Sequence, residues 1–222
     1  MSGFNLSKGS SFNLSKAAPG LKIAGVGLGW DANEDQGGPI FDLDVSAFLL
    51  GENGQIPEMT DLVFYGSELT TKYEGEDDER PYSTDGSVLG AIDEIGGGEG
   101  EDDGDDDGDE EDMRIYFDRV SDHIKEILVV VTITKYPNDE LKDKRTLDLD
   151  FSKVGGCYVR VWDESTSKEL CRYTLSESFG KEDAVEFGKF VRDASGEWNF
   201  TAIGQGYEGG LSKFISKFAK RF

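Results

Sequence analysis

Apolar and polar residues alternate in short runs along most of the chain, which is the pattern of half-buried β-strands. The run over residues 124–134 is the most apolar and is rich in β-branched side chains, so it predicts a central buried strand. Further strands are predicted at residues 21–30, 41–50, 61–65, 113–117, 146–151, 157–162, 169–173 and 198–203. Many short strands with glycine-rich turns predict a mainly β protein, built as a β-sandwich of two mostly antiparallel sheets.

The first sixteen residues contain the motif Phe-Asn-Leu-Ser-Lys twice, at residues 4–8 and 12–16. Alternation within each copy predicts two short strands with a turn at residues 9–11. Farther along, the strands at residues 157–162 and 169–173 are close enough in sequence to form a hairpin. The polar, glycine-rich stretch over residues 66–112 predicts one long acidic loop.

Two segments have helical spacing, so the sandwich is expected to carry one or two peripheral helices. Within residues 181–193, Ala184, Phe187 and Val191 fall on one side of a helix. Residues 209–222 predict a basic amphipathic helix that follows a single domain over residues 1–208. The apolar face of this second helix has two open interpretations. It packs on the protein's own domain, or it binds an anionic membrane surface, a partner groove or the acidic surface of a second copy.

Acidic residues outnumber basic ones two to one, at 46 against 23, which gives a formal net charge of −23. Eleven of the acidic residues lie within residues 99–112, in the sequence E-G-E-D-D-G-D-D-D-G-D-E-E-D. The rest of the chain therefore also has an acidic excess. Such a field disfavours binding to nucleic acid and favours cations or basic partners.

Several classes of protein are disfavoured. The start of the chain lacks the apolar core of a signal peptide, and no window reaches the length of a membrane span, so we expect a cytoplasmic protein. In that compartment Cys157 and Cys171 are expected to be reduced thiols. No nucleophile motif, phosphate loop or dinucleotide loop is recognisable, and His123 has no cluster of metal-ligating partners. We therefore expect that the protein is not an enzyme.

Carboxylates at regular spacing indicate a metal instead. On the strand at residues 41–50, Asp42 and Asp44 fall on one face, where their charges repel unless a cation is shared. An ordinary solvated sheet face is the alternative. Within the acidic run, residues 103–108 match the first half of an EF-hand loop, but position twelve is Arg114 and strands flank the run. The run is therefore not an EF-hand, although its hard oxygen ligands suit calcium better than magnesium.

A set of short motifs spans most of the chain: Leu14-Ser-Lys16, Ala18-Pro-Gly-Leu21, Gly27-Leu-Gly-Trp-Asp31, Phe41-Asp-Leu-Asp-Val-Ser-Ala-Phe-Leu-Leu50, Asp61-Leu-Val-Phe-Tyr65, Asp85-Gly-Ser-Val88, Arg172-Tyr-Thr-Leu-Ser176, Gly196-Glu-Trp-Asn-Phe200 and Gly204-Gln-Gly-Tyr-Glu-Gly-Gly210. Together with the acidic run, these motifs resemble the tellurium-resistance TerD family of bacterial stress proteins, which are small calcium-binding β-sandwiches. The resemblance implies that calcium is held between a D-x-D strand and a glycine- and acid-rich loop.

The resemblance assigns Asp31, Asp42 and Asp44 to the metal. The loop departs from the family's pattern, because its histidine is absent, with Leu89 following Val88, and its acidic end is extended. The candidate ligands within the loop are Asp93, Glu94, Asp103, Asp105, Asp107, Asp109 and Glu110.

The function implied is that of a calcium-binding stress-response protein that acts as a binding or scaffold module. Its expected cofactor is Ca²⁺, and other proteins of a stress-response complex are candidate partners. The alternative is a calcium-regulated module that recruits a partner or binds the inner membrane from the cytoplasm through residues 211–222.

Overall fold

A computed structural model describes residues 3–31, 41–73, 75–76, 78–92, 108–134 and 149–219. In this part of the chain the main strands form two six-stranded sheets, and both sheets contribute side chains to one apolar core. Neighbouring strands in the two sheets are antiparallel, apart from one parallel pair at an edge of the first sheet. The predicted β-sandwich of two mostly antiparallel sheets is confirmed.

Strands are numbered along the chain, so neighbours within a sheet seldom have consecutive numbers. The first sheet contains, from one edge to the other, β1 (Phe4–Asn5), β12 (Lys168–Thr174), β11 (Tyr158–Asp163), β3 (Ile23–Gly29), β9 (Glu111–Tyr116) and β8 (Val88–Leu89). The second contains β2 (Ser11–Asn13), β14 (Trp198–Tyr207), β13 (Ala184–Arg192), β10 (Ile124–Ile133), β4 (Leu43–Gly51) and β5 (Leu62–Val63). A separate hairpin pairs β6 (Thr70–Lys72) with β7 (Glu79–Pro81). The helical segments are α1 (Leu14–Ala17), α2 (Gly210–Phe218) and a 3-10 turn at Met59–Asp61.

The repeated N-terminal motif closes one side of the sandwich. Its first copy supplies β1, which pairs with β12 of the first sheet, and its second copy supplies part of β2, which pairs with β14 of the second sheet. The leucine of each copy, Leu6 and Leu14, is buried in the core between the sheets. The two predicted strands are thus present, with one in each sheet.

Alternation along β4 sorts its side chains between two apolar regions. Those that point into the core between the sheets are Leu43, Val45, Ala47 and Leu49. Phe48 and Leu50 point the other way and join a smaller apolar cluster under α2. The strand is therefore buried on both faces, which explains its near-continuous apolar sequence.

The apolar face of α2 packs on the outer face of the second sheet. Phe214 is fully buried there, with its ring centroid 6.1 Å from that of Phe48 and 5.0 Å from that of Tyr207. Phe218 packs beside it, 5.6 Å from Phe48. Of the two interpretations of this amphipathic helix, packing on its own domain is the one that the structure contains.

Polar contacts fix both ends of α2. The carboxylate of Asp183 accepts hydrogen bonds from the backbone N–H groups of Gly209 and Gly210, each at 2.8 Å, so it satisfies donors that a helix start leaves open. Near the other end, Lys217 donates to the carboxylate of Glu186 on β13. The basic stripe predicted for this helix therefore contributes at least one ion pair to the sheet.

The helix predicted at residues 181–193 is wrong, because this segment is strand β13. A β-bulge is the physical reason for the error. Val185 and Phe187 alternate into the core, and the register against β10 then skips Phe187, so that Phe190 is the next inward side chain. The resulting three-residue step has the spacing of a helix turn.

Two further predictions are corrected. The stretch over residues 66–112 is not one loop, since its described part contains β6, β7, β8 and the start of β9. Strands of two or three residues are too short to show alternation. Of the strand predicted at residues 146–151, the first three residues lie outside the described part. Leu149 and Phe151 are buried but not in a strand.

Candidate metal site at one end of the sandwich

Strand ends from both sheets meet at one end of the sandwich. The end of β3 pairs with the start of β9, and the end of β10 pairs with the start of β4. A hydrogen bond of 2.6 Å from the Val45 N–H to the Glu111 carboxylate joins β4 to β9 across the two sheets. Described segments begin or end here at residues 31, 41, 108 and 134. Sandwich ends are where connecting loops place binding residues.

The D-x-D strand places two buried carboxylates here. Asp42 and Asp44 are each 3% exposed and point away from the core between the sheets, as their alternation predicts. Thr134, which follows β10, binds both residues: its N–H donates to the Asp42 carbonyl oxygen at 2.9 Å, and its hydroxyl donates to the Asp44 carboxylate. Burial of carboxylates disfavours their charged form unless hydrogen bonds or cations compensate.

Glu111 is a candidate ligand that the sequence prediction missed. Its side chain points inward from the start of β9, is 6% exposed and reaches the edge of β4 beside Asp44. The period-two alternation along β9 could have identified it. Met113, Ile115 and Phe117 point into the core, and Glu111 lies on the same side of the strand. This position in the apolar phase of a strand distinguishes Glu111 from the other acidic residues of the run.

Asp31 lies at the end of β3. Its N–H donates to the Gly155 carbonyl oxygen at 2.9 Å, and its carboxylate lies so close to Gly155 and Gly156 that a Cβ on either glycine would overlap it. The residue is exposed. The structure therefore places Asp31 at the strand end adjoining β9, with its carboxylate against a glycine pair.

Asp109 already has two protein partners. Its carboxylate accepts from Arg160 Nε at 2.6 Å and from the Tyr158 hydroxyl at 2.9 Å, over the outer face of the first sheet. Burial raises the pKa of Asp109 by more than Arg160 and Tyr158 lower it. Glu110 donates its N–H to the Leu28 carbonyl oxygen at 2.8 Å and is half-buried. The last residues of the acidic run are thus held to β3 and β11.

A buried arginine fixes the backbone where the acidic run ends. Arg80 donates to the carbonyl oxygens of Gly90 and Asp112 at 3.1 and 2.8 Å, and its guanidinium pairs with the carboxylates of Glu76 and Asp112. These contacts tie the segment before the loop to the segment after it. Arg80 thereby holds the start of β9, and with it Glu111, in position.

The donor set at this end consists of oxygen atoms. Among the described residues, no three His, Cys, Asp or Glu side chains converge as a complete metal site requires. The remaining candidates, Asp93, Glu94, Asp103, Asp105 and Asp107, lie outside the described residues. The buried carboxylates of Asp42 and Asp44 fit one side of a calcium site, because calcium prefers carboxylate and carbonyl oxygens.

The turn at Asp85 has a structural role. Its carboxylate accepts from the Ser87 N–H at 3.0 Å, the Ser83 hydroxyl at 2.9 Å and the Ser121 N–H at 2.9 Å. Burial raises the pKa of Asp85, but these hydrogen bonds outweigh it and hold the pKa below its ordinary value. The Asp-Gly-Ser motif at residues 85–87 thus closes a turn and ties it to the segment that precedes β10.

Both cysteines are free and buried. In the hairpin of β11 and β12, Cys171 lies opposite Val161, four residues beyond Cys157, so the two thiols do not face each other. Burial raises the pKa of Cys157, and it raises the pKa of Cys171 to about 12. Both thiols are therefore protonated at neutral pH and are poor nucleophiles.

A comparison with protein families identifies the chain. The model of the TerD domain matches residues 2–218, a range that includes α2. The chain belongs to the TerD family. The resemblance seen in the sequence motifs is thus confirmed over nearly the whole chain.

Relatives within the TerD family match over almost their full length. The chain is 38% identical to the tellurium resistance protein TerD of Serratia marcescens over 215 residues, which is 96% of each protein. It is 36% identical, over the same share of each, to general stress protein 16U of Bacillus subtilis. These relatives carry names for tellurium resistance and for general stress.

Solved structures agree with the TerD fold. A homologue of telluride resistance protein (TerD) from Streptomyces coelicolor superposes with a TM-score of 0.55 over 88% of this chain and 95% of that one, at 23% identity. A crystal structure of a protein of unknown function, SAV2460, superposes with a TM-score of 0.61 over 91% of this chain and 99% of that one, at 22% identity. Both likenesses concern the fold alone.

None of the helices in the described part of the chain has the length and apolar character needed to cross a membrane.

Proposed function

We propose that the protein is a calcium-binding stress-response protein, which holds calcium between the start of β4 and the acidic loop that leads into β9. The observation that carries the proposal is the pair of buried carboxylates, Asp42 and Asp44, at the start of β4. A third buried carboxylate, Glu111, comes from the other sheet and accepts a hydrogen bond from the Val45 N–H of β4. Two like charges on alternate residues of one strand face favour a shared cation.

The chain's own residues prepare this position. Asp42 and Asp44 are the ligands proposed from β4, and Thr134 orients the Asp44 carboxylate through its hydroxyl. Val45 and Arg80 fix Glu111, the first through its N–H and the second through the backbone of Asp112. Calcium, when bound, supplies a divalent charge that attracts hard oxygen ligands. The remaining ligands are proposed from Asp31 and from the acidic run.

The role proposed is binding or scaffolding rather than catalysis. The relatives named for tellurium resistance and for general stress support a function under toxic or stressful conditions. The two thiols give little support to direct thiol chemistry with tellurium, because both are buried and protonated. We place the protein in the cytoplasm and propose other stress-response proteins as its partners.

The alternative function, membrane or partner recruitment through residues 211–222, has weaker support. The apolar face of α2 is already packed on the second sheet, and Phe214 is fully buried there. Binding through that face would have to expose Phe48 and the side chains around it.

Thermal unfolding tests the proposed function. A ligand that binds the folded state at 100 times its Kd stabilises the protein by about 2.7 kcal/mol. For a domain of this size that corresponds to a rise in Tm of about 5–10 °C. We expect this shift for metal-stripped protein given calcium, and a smaller one for magnesium at equal ionic strength. An unchanged Tm at millimolar calcium would contradict the proposal.

A further inference from the structure

An apolar cleft opens beside β5, at the edge of the second sheet. Its volume is about 210 Å³. Its apolar and aromatic lining residues are Met59, Leu62, Phe64, Leu69 and Tyr82. None of the described carboxylates at the proposed calcium site lines this cleft, so an inference about it stands apart from calcium.

Exposed apolar side chains concentrate at this cleft. In the described part of the chain, the large apolar side chains with the highest exposure are Phe4 at 58%, Tyr65 at 48% and Met59 at 45%. Met59 lines the cleft, and the Tyr65 ring packs edge-on against the Phe64 ring with centroids 5.3 Å apart. Two of the three therefore adjoin one concave apolar surface, which is the pattern of a protein-binding site.

Hydrogen bonds hold the walls of the cleft in place. The Ser67 N–H donates to the Phe64 carbonyl oxygen at 3.0 Å, and the Tyr82 N–H donates to the Leu69 carbonyl oxygen at 3.0 Å. The Thr84 hydroxyl donates to that of Thr60 at 2.6 Å. A preformed cleft avoids the free-energy cost of ordering a loop on binding.

The backbone edge next to the cleft is already occupied. The Ser67 hydroxyl donates to the Leu62 carbonyl oxygen at 3.2 Å and accepts from the Phe64 N–H at 3.0 Å. These are the two groups that flank Val63 on the side away from β4. A partner strand therefore cannot pair at this position, and recognition has to proceed by insertion of a side chain.

The size and charge of the cleft define its ligand. Pockets for drug-sized molecules have volumes of about 300–1,000 Å³, so 210 Å³ suits a single large apolar side chain. Glu68 is the one charged residue among the described lining residues, and exposed Glu58 precedes Met59. We propose that this cleft docks a partner protein through one large apolar side chain flanked by lysine or arginine.

Defined peptides test the proposal by NMR titration of the full chain at fixed calcium concentration. The probes are Lys-Lys-Phe-Lys-Lys, the matched Lys-Lys-Ala-Lys-Lys and the charge-reversed Glu-Glu-Phe-Glu-Glu. We expect the first peptide to shift the amide signals of Tyr65, Ser67 and Leu69 and to bind about tenfold more tightly than either control. Equal binding of the first two peptides would overturn the proposed apolar anchor.

Variants locate the binding surface. We expect Met59→Lys and Glu68→Lys each to weaken binding of the phenylalanine peptide about fivefold or more. The matched controls are Phe4→Lys, at another exposed apolar residue, and Glu52→Lys, at another exposed acid; both residues lie outside the cleft lining. If the controls weaken binding as much as the cleft variants do, the peptide recognises general charge or hydrophobicity and the proposal fails.

The chain's own end provides a further test. The Ile56 N–H donates to the Phe218 carbonyl oxygen at 2.9 Å, so α2 ends near the segment that leads to Met59. Residues 220–222, Lys-Arg-Phe, have the chemistry proposed for the ligand. A chain that ends at Ala219 is expected to bind the peptide with unchanged affinity. Binding only after this truncation would make residues 220–222 the occupant and would overturn docking of a partner.

Discussion

At the scale of single residues, three glycines of β3 determine what covers the outer face of the first sheet. A Cβ on Gly25 would overlap the Trp162 ring, one on Gly27 the Asp109 carboxylate and one on Gly29 the Tyr158 ring. The alternation Gly25, Gly27, Gly29 therefore provides a groove in which larger side chains lie flat against the strand. The pair of Asp109 and Arg160, which holds the end of the acidic run, depends on this groove.

Gly27→Ala tests the groove. The added methyl group would displace the Asp109 carboxylate and weaken its bonds to Arg160 and Tyr158. We expect a loss of about 2 kcal/mol in the free energy of unfolding, measured with urea. Gly180→Ala is the matched control, because the nearest atom to its Cβ is 3.6 Å away, and it should change stability by less than about 0.5 kcal/mol. Equal effects of the two substitutions would argue against the groove.

Asp85→Asn tests the turn that precedes β8. The amide has one acceptor oxygen in place of two, so it loses the hydrogen bonds at one of the two positions, and we expect a loss of about 1–3 kcal/mol in the free energy of unfolding at neutral pH. The folded state lowers the pKa of Asp85, and its contribution is therefore complete above the unfolded pKa and disappears as pH falls through the folded pKa. The difference in stability between the two proteins should shrink from pH 7 to pH 3. A difference that is constant with pH would contradict an ionised acceptor.

At the scale of elements, α2 is a part of the domain's apolar interior. Its Phe214 is enclosed by Phe48, Tyr207 and Phe218, and its start is capped by Asp183. The amphipathic pattern predicted the helix, since a stripe of apolar residues at helical spacing shows that one face has to be covered. The pattern does not specify what covers it, because a sheet, a membrane and a partner groove offer the same apolar environment.

Phe214→Ala measures how strongly α2 is held. Removal of a fully buried aromatic side chain should cost about 3–5 kcal/mol of unfolding free energy. Phe4→Ala removes an exposed ring and should cost less than about 1 kcal/mol. A cost below about 1 kcal/mol for Phe214→Ala would indicate that α2 is not packed on the sheet in solution.

Most strands were predictable from period-two alternation, and the reasons for the exceptions are local. In β13 the bulge at Phe187 changes the inward phase, so the apolar spacing imitates a helix. The short strands β6, β7 and β8 contain too few residues for a periodic signal. Of the candidate site, Asp42 and Asp44 were predictable from one strand. Glu111 was missed for two reasons. Its hydrogen-bond partner on β4, Val45, is distant in sequence, and Glu111 itself lies in a run of acidic residues.

At the scale of the whole molecule, the fold brings acidic groups that are distant in sequence to one end of the sandwich. The net charge of −23 opposes compaction, and the sandwich nevertheless places Asp42, Asp44 and Glu111 in buried positions at the same end. Ion pairs of neighbouring acidic residues, such as Asp109 with Arg160 and Asp112 with Arg80, neutralise part of the negative charge. A divalent cation bound at Asp42 and Asp44 would offset more of this repulsion.

Isothermal titration of metal-stripped protein with calcium tests the central proposal most directly. We expect saturable binding, and we expect Asp44→Asn and Glu111→Gln each to weaken it about tenfold or more. The first removes the charge of a proposed ligand, and the second removes the charge of a candidate ligand beside it. Asp118→Asn, an exposed carboxylate beyond the far end of β9, should leave the affinity unchanged. Calcium binding that is equally strong in all three variants, or no saturable binding in the unaltered protein, would contradict a calcium site at the start of β4.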